Sequence, residues 1–305
     1  MPNGLDAFAK GGRFHKGNLH THSTRSDGAR DPADVCAFYR DAGYDFLCLS
    51  DHFLSRYGWP VTDTRPHRTN RFTTILGAEV HAGRNSQGEV WHILAVGLPD
   101  DFAPTERGET GEALAARANA GGAFVGIAHP QWSSLTLEDG RAMAPHAHAV
   151  ELYNTSSAFE TARGDGVAFH DMLLNDGHTH LTGYATDDAH FKIADHGRAW
   201  IMVKADTSEA DVLVEAMREG LSYSSTGPSL HAVALDGDDL VVEASEVGFM
   251  AAVGRGSRVA TANAGAYGAN FSAARLSTAP FRGDWCRVVA VAHDGSTAWT
   301  NPIFL

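Results

Sequence analysis

The chain has 305 residues, of which 43% are hydrophobic and 20% are charged, a balance typical of a globular protein with a sizeable core. Aspartate and glutamate (37) outnumber lysine and arginine (24), so the formal net charge is −13. Nucleic acids and anionic membranes bind clustered positive charge, so this composition argues against both as partners. Histidine is unusually abundant, with 17 copies, which directs attention to metal sites and proton transfer.

No segment for export or membrane insertion is predicted. Residues 1–18 lack the apolar core of a signal peptide, and the longest stretch without charged residues, 118–137, is interrupted by Gly, His, Pro and Ser. Cys36, Cys48 and Cys286 are odd in number and far apart, which does not fit a disulfide framework or a zinc knuckle. We therefore expect a cytoplasmic protein in which Cys48 is a buried thiol.

Between residues 17 and about 225, short apolar runs alternate with helical stretches. Such strand–helix–strand repetition predicts parallel strands in a barrel or a strongly curved α/β sheet. The predicted strands cover residues 17–20, 45–50, 73–78, 91–97, 123–128, 149–153, 181–185 and 198–203.

Two helices have clear boundaries in the sequence. The first begins at Asp31, which is suited to cap it, with Pro32 at the first helical position, and it stops before Gly43. The second covers residues 208–219 and places Val212, Leu213 and Met217 on its core face.

After Gly227 the sequence pattern changes to strands separated by tight turns. Asp236-Gly237 and Asp294-Gly295 each stand between two apolar runs, which predicts two hairpins, while residues 254–274 have no helical periodicity. We predict an α/β domain over residues 1–227 and a small all-β, sandwich-like domain over 228–305.

Side chains of the metal-ligating types stand at the carboxyl ends of at least five predicted strands. In an α/β barrel these ends meet on one face, where active sites are built. His20 and His22 point the same way if they continue a strand, so both imidazoles face one ion. The nine candidate ligands are His20, His22, Asp27, His52, Glu79, His92, His129, Asp188 and His190.

Nine nitrogen and oxygen donors suffice for two or three divalent ions if one carboxylate bridges, because a zinc ion takes about four ligands. Glu79 is the expected bridge, as the only glutamate that ends a strand among the early histidines. His81 is predicted to be a core residue that points away from Glu79 by the two-residue strand period. Mixed His/carboxylate sites suit zinc, manganese and iron alike, so the native metal stays open.

These motifs resemble those of the PHP (polymerase and histidinol phosphatase) superfamily. The matching segments are Leu19-His20-Thr21-His22-Ser23, Ser26-Asp27-Gly28, Ser50-Asp51-His52, Gly77-Ala78-Glu79, His92, Ala128-His129-Pro130 and Asp188-Ala189-His190. The resemblance implies a distorted (β/α)7 barrel with a site for two or three divalent metals.

The resemblance also implies how the ligands divide. One ion would be held by His20, His22, Glu79 and Asp188, a second by Glu79, His92 and His129, and a third by Asp27, His52 and His190. The adjacent Asp187 leaves an ambiguity of one residue in the last motif.

Downstream segments are similar to the carbamate-hydrolase-like subgroup of the PHP superfamily. They are residues 150–154, 219–228 and 298–303. The amidohydrolase superfamily also opens with an H-x-H pair, but its binuclear members bridge their metals with a carboxylated lysine on a central strand. No lysine lies between His52 and His129, so the PHP pattern is favoured.

Metal-assisted hydrolysis of a small phosphate ester is the leading hypothesis, and hydrolysis of an uncharged carbamate, ester or amide is the alternative. A non-catalytic metal-binding module is the third possibility, and a homo-oligomer stays open. His52, His190 and Asp51 are candidates for proton transfer, and the candidates for substrate binding are Arg25, Arg56, Arg198 and Asn154.

Overall fold

The computed structural model describes residues 2–265 and 268–305. The helices are α1 Asp6–Ala9, α2 Pro32–Asp41, α3 Gly111–Ala120, α4 Leu137–Met143, α5 Thr155–Thr161, α6 Val167–Asn175 and α7 Ala210–Arg218. The first ten strands are β1 Arg13–Asn18, β2 Phe46–Leu49, β3 His52–Phe53, β4 Thr73–Val80, β5 Ile93–Val96, β6 Phe124–Ile127, β7 Ala149–Asn154, β8 Thr182–Thr186, β9 Trp200–Ala205 and β10 Ser222–Ser225. The last eight are β11 Leu230–Asp236, β12 Asp239–Val247, β13 Phe249–Gly254, β14 Val259–Asn263, β15 Phe271–Ser277, β16 Trp285–Val291, β17 Thr297–Thr300 and β18 Ile303–Phe304.

One large sheet runs through the molecule, and the mixed α/β fold class is confirmed. Its central order is β9-β1-β2-β4-β5-β6-β7-β8. The pairs β1/β2, β2/β4, β6/β7 and β7/β8 are parallel, but β5 is antiparallel to both neighbours, so the expectation of parallel pairing is wrong there. Residues 81–92, all described, join β4 to β5 without a helix, a kind of connection that antiparallel neighbours allow. Strand β9 is likewise antiparallel to β1, so the expectation of parallel pairing is wrong for β9 too.

The carboxyl end of β8 returns to the segment that follows β1. The amide of Asp188 donates to the carbonyl of His20 at 2.8 Å, and the amide of His22 donates to the carbonyl of Ala189 at 2.9 Å. The first and last parallel strands therefore meet where the H-x-H and D-x-H motifs lie, which gives the sheet a barrel-like closure at this end.

The C-terminal strands form two antiparallel layers. Strands β17, β16, β13 and β14 extend the large sheet from β10, whereas β11, β12 and β15 form a separate sheet. Val242 and Leu240 of the separate sheet share one buried core with Met250 and Val288 of the large sheet. The first predicted hairpin is β11–β12, and the second lies between β16 and β17. Residues 254–274 contain β14 and the start of β15.

The helix boundaries follow their capping signals. The side chain of Asp31 accepts a hydrogen bond from the Asp34 amide at the start of α2, and Gly43 adopts a left-handed φ of +80° after its end. In α7, Leu213 and Met217 are buried, but Val212 is 42% exposed, so its predicted place in the core is wrong. None of the described helices is long and apolar enough to cross a bilayer.

Candidate metal centre

The structure brings all nine candidate ligands to one end of the sheet. Four overlapping groups have ligand atoms within 4.8 Å of one another, and together these groups contain every candidate plus His81. They are His22/Asp27/His52/His190, His52/Glu79/His81/His92, His20/His129/Asp188 and His20/His22/Glu79. A set of histidines and carboxylates spread over 170 residues of sequence therefore converges in space.

Glu79 occupies the centre of the cluster at the end of β4. Its Oε1 lies 2.6 Å from Nδ1 of His92 and 3.1 Å from Nε2 of His129. Its Oε2 lies 2.6 Å from Nδ1 of His52 and 3.7 Å from Nε2 of His20 and of His22. Because the two oxygens face different imidazoles, this carboxylate has the geometry of a bridge between two ions.

Two aspartates, Asp188 and Asp27, each lie close to two histidines of the cluster. Oδ1 of Asp188 lies 3.2 Å from Nε2 of His20 and 2.9 Å from Nε2 of His22. On the outer side, Oδ1 of Asp27 lies 3.4 Å from Nε2 of His52 and 3.3 Å from Nε2 of His190. Two of these ligand residues are held in the left-handed region, since φ is +54° at Asp188 and +26° at His129.

The donor set fits divalent cations. Buried polar atoms normally have hydrogen-bond partners, yet four buried atoms in this cluster have none: Nε2 of His20, Nδ1 of His22, Oδ1 of Asp27 and Oε2 of Glu79. A mixture of imidazole nitrogens and carboxylate oxygens is the ligand set that zinc, manganese and iron accept. A positive ion among these atoms would supply the interactions that they lack.

The pKa values of the metal-free cluster reflect crowding of opposite charges. Burial alone would raise the pKa of the Glu79 carboxyl, but the neighbouring imidazoles of His92 and His52 hold it well below its usual range. Burial would also raise the pKa of the Asp188 carboxyl, but the neighbouring imidazole of His20 holds that pKa well below its usual range. For His190, burial lowers the pKa, but the carboxylate of Asp27, 3.3 Å away, outweighs burial and raises the pKa to about 9.

Asp187 and Asp188 have separate roles, which resolves the ambiguity in the last motif. Asp187 is fully buried and turned away from the cluster, where it accepts six hydrogen bonds from Asn18 Nδ2, Tyr39 Oη, Thr155 Oγ1 and the amides of Gly197, Arg198 and Ala199. Its oxygens are thereby committed to the protein. Asp188 is the aspartate that faces His20 and His22.

A second buried carboxylate, Glu151, holds the ligands in place and was missed in the sequence. Its Oε1 lies 3.4 Å from Nδ1 of His20, and its Oε2 accepts from the backbone amide of His129 at 2.6 Å. A carboxylate on the far nitrogen of a ligating histidine orients the ring and fixes its tautomer. Glu151 lies within β7, in the segment 150–154 that carries the subgroup resemblance, but the sequence predicted no site role for it.

Asn154, predicted to bind substrate, is buried beside this carboxylate. Its Nδ2 donates to Glu151 Oε2 and to Asp188 Oδ2, both at 3.1 Å, and its Oδ1 caps α5 by accepting from the amide of Ser157. All three polar contacts are intramolecular and one of them holds Asp188, while the role of Asn154 in substrate binding stays a prediction.

Asp51, predicted to transfer protons, is also used within the protein. Its two oxygens accept hydrogen bonds from the Ser23 amide and hydroxyl, the Ser26 hydroxyl and the Thr62 hydroxyl, at 2.7–2.9 Å. The side chain is fully buried. Asp51 therefore shapes the loop that carries Asp27, and its role in proton transfer stays a prediction.

His81 departs from its predicted orientation. Strand β4 ends at Val80, so the two-residue alternation no longer applies to the next residue. Nε2 of His81 lies 3.0 Å from Nδ1 of His52 and 3.7 Å from Oε2 of Glu79. His81 thus turns toward the cluster, not away from it.

A cavity of about 300 Å³ opens onto the cluster and contains Glu79, His92, Asp188 and His190 in its wall. Arg56 and Lys192 lie at the same cavity as exposed cations, and Trp132 stands against the ring of His129 with centroids 5.0 Å apart. Of the predicted substrate-binding arginines, Arg56 alone lies at this cavity.

The other two arginines lie elsewhere. Arg25 lines a separate cleft with Tyr57 and Asp63. Arg198 is exposed, donates to the carbonyl of Ala194 and lies over the ring of Phe159.

Together the fold and the site define a mixed α/β protein with a buried, multi-histidine metal-type centre at the carboxyl ends of its strands. Over 99% of its length the chain resembles a two-domain protein from Bacteroides vulgatus that contains a predicted PHP-like metal-dependent phosphoesterase, with 17% identity, 97% coverage of that chain and a TM-score of 0.52. The expected PHP fold is thus confirmed as a fold, while the count of seven β/α units and the domain boundary stay predictions.

Two further solved structures are similar over part of the chain. They are PsfC from Pseudomonas syringae (14% identity, 67% of this chain and 88% of that one, TM-score 0.44) and an amidohydrolase from Chromobacterium violaceum with bound sulfate and no metal (14%, 57% and 87%, TM-score 0.41). No family model and no curated protein matches the sequence.

Proposed function

We propose that the protein is a metal-dependent hydrolase of the PHP type that cleaves a small phosphate ester. The observation that carries the proposal is the convergence of nine histidine and carboxylate side chains around Glu79, with buried donor atoms that lack protein partners. The B. vulgatus structure supports it at the level of the fold.

The distances support the assignment of ligands to two or three ions. His20, His22, Glu79 and Asp188 would hold the first ion, because their facing atoms lie 2.9–3.7 Å apart. The second ion would be held by Glu79, His92 and His129, and the third by Asp27, His52 and His190.

When bound, divalent ions of this kind lower the pKa of water from about 15.7 to about 7 and withdraw charge from the reacting oxygen. The protein then has to place the substrate. Arg56 and Lys192 supply positive charge at the mouth of the cavity, which suits a phosphate group, and the volume of about 300 Å³ suits a small ester. His52 and His190 carry protons to a leaving group only in a form that lacks the third ion, because in the full site both are ligands.

A second candidate, hydrolysis of an uncharged aryl carbamate or ester, is favoured by an adjoining cavity of about 410 Å³. This cavity shares His52, Arg56, His92 and Trp132 with the first and adds the apolar side chains of Leu54 and Val90. Trp132 is 40% exposed between the two spaces, so an aromatic group would find an apolar wall beside the metal centre.

Elemental analysis combined with two assays tests the proposal. We expect two or three divalent ions per chain and turnover of p-nitrophenyl phosphate that exceeds turnover of aryl carbamates. Glu79→Gln should release at least one ion and abolish turnover, whereas Glu215→Gln, an exposed position on α7, should change neither. One or no bound ion and no turnover with either substrate would refute the enzyme hypothesis. Bound ions without turnover of any phosphoester, ester or carbamate would identify a metal-binding module.

A further inference from the structure

The contact between the His81 ring and the backbone carbonyl of Trp91 indicates which of the two ring nitrogens carries the proton. Nδ1 of His81 lies 3.1 Å from the backbone carbonyl of Trp91, and a carbonyl only accepts hydrogen bonds. The ring is 3% exposed and packs against the rings of His52 and His92, with centroids 4.9 and 4.3 Å away. A neutral imidazole carries one proton, on one of its two ring nitrogens. That proton is on Nδ1, so Nε2 of His81 is an acceptor.

The acceptor on His81 determines the proton position on His52. Nε2 of His81 lies 3.0 Å from Nδ1 of His52 in hydrogen-bonding geometry, so Nδ1 of His52 is the donor. Oε2 of Glu79 is nearer, at 2.6 Å, but has no hydrogen-bond partner, which places it off the direction of this N–H group. The lone pair of His52 is therefore on Nε2, the nitrogen that lies 3.4 Å from Asp27.

We propose that His81 is a positioning residue for the metal centre: it fixes His52 in the Nδ1–H tautomer, so that Nε2 is available as a ligand beside Asp27 and His190. This inference rests on the proposed metal-binding function. It assigns His81 a contact with His52 and none with the ion. Two hydrogen bonds in series connect Trp91 to His81 and His81 to His52. The Trp91 carbonyl determines the proton position on His81, and this in turn determines the proton position on His52.

The role of this arrangement is to orient a ligand without adding charge. Ligating histidines commonly donate their second N–H to a carboxylate, as the contact of His20 with Glu151 illustrates here. His81 takes the place of that carboxylate beside His52, and because its imidazole is neutral, the net charge of the group Asp27, His52 and His190 is unchanged. Loss of such an outer contact costs about 10–100-fold in metal affinity.

Two substitutions separate positioning from packing. His81→Leu fills the space without an acceptor, and His81→Gln returns an amide oxygen that accepts from His52. His15→Leu is the matched control, because His15 is equally buried, has one ring nitrogen 3.3 Å from the carbonyl of Ala205 and leaves the other without a partner, yet lies on β1 outside the cluster.

The first readout is the 15N chemical shift of the His52 ring in metal-free, histidine-labelled protein, assigned with His52→Gln. We expect the Nδ1–H tautomer in the wild type and in His81→Gln, and a shift toward Nε2–H in His81→Leu. The second readout is zinc affinity by chelator competition. The weakest-bound ion should lose about 10–100-fold in affinity in His81→Leu and recover most of it in His81→Gln. His15→Leu should match the wild type in both measurements.

Several results would overturn the inference. An Nε2–H tautomer of His52 in the wild type would do so even if His81→Leu fails to fold. Unchanged zinc affinity in His81→Leu, beside a wild type that binds its ions, would refute the role of His81 and leave the proposed function intact. A coupling between the 15N of His81 and bound 113Cd would show that His81 is itself a ligand. A wild type that binds no ion would refute the proposed function, and with it the ligand role of His52.

Discussion

The two adjacent aspartates offer a direct test of how the site is built. In Asp187→Asn, an NH2 group replaces an oxygen that accepts three hydrogen bonds, whichever oxygen is replaced. Hydrogen bonds to a charged group contribute about 1.5–3 kcal/mol each, so the three lost bonds represent about 4–9 kcal/mol. Local relaxation recovers part of this, and we expect a net loss of about 4 kcal/mol, near the upper end for single substitutions.

For a chain of this length, about 4 kcal/mol corresponds to a fall in Tm of about 6 °C, since the unfolding entropy is about 2.1 cal/mol/K per residue. Urea and thermal denaturation of chelator-treated protein measure the loss without any contribution from bound ions. Asp188→Asn serves as the paired variant, because it should cost less stability but release the ion shared with His20 and His22. A stable Asp187→Asn protein that loses metal, beside an Asp188→Asn protein that keeps it, would refute the assignment.

Three further outcomes follow from the geometry. In metal-free protein, the neighbouring Asp27 raises the pKa of His190 from 6.5 to about 9. The contribution of His190 to stability is therefore fully present below pH 6.5 and is lost as the pH rises through 9. Urea unfolding of the wild type and His190→Gln should differ at pH 6 and agree at pH 10, and a difference that grows with pH would contradict this. Glu151→Gln should weaken metal binding by about 10–100-fold, measured by chelator competition, because His20 loses its carboxylate. Arg56→Ala should raise KM for a phosphate ester with metal content unchanged, and an unchanged KM would remove Arg56 from the substrate site.

Most of the metal centre was predictable because its ligands follow apolar strands, and strand ends converge in an α/β sheet. His20, Glu79 and Asp188 belong to this class. The role of Glu151 was not predictable, because a single glutamate within an apolar strand does not indicate a contact with His20, which lies 131 residues earlier in the chain. The hydrogen-bond partners of Asp51 were not predictable for a related reason. Asp51 stands beside a ligand in sequence, but Ser23 and Thr62 reach it from two other loops.

The fold was predictable where local signals agree and less so where tertiary contacts decide. Capping residues defined α2, and Asp-Gly turns defined the hairpins. The reversed direction of β5 was not predictable, because the apolar pattern of a strand does not encode the direction in which it pairs. The orientation of His81 depends on where β4 ends, because the two-residue alternation of side chains applies only within the strand.

The meeting of β8 with the segment after β1 has a consequence for synthesis on the ribosome. His20 and His22 leave the exit tunnel early, but Asp188, which completes their group, follows more than 160 residues later. Throughout that interval the group formed by His20, His22 and Asp188 is incomplete. If the proposed metal function holds, the site would be complete for loading only once the chain is released or nearly finished.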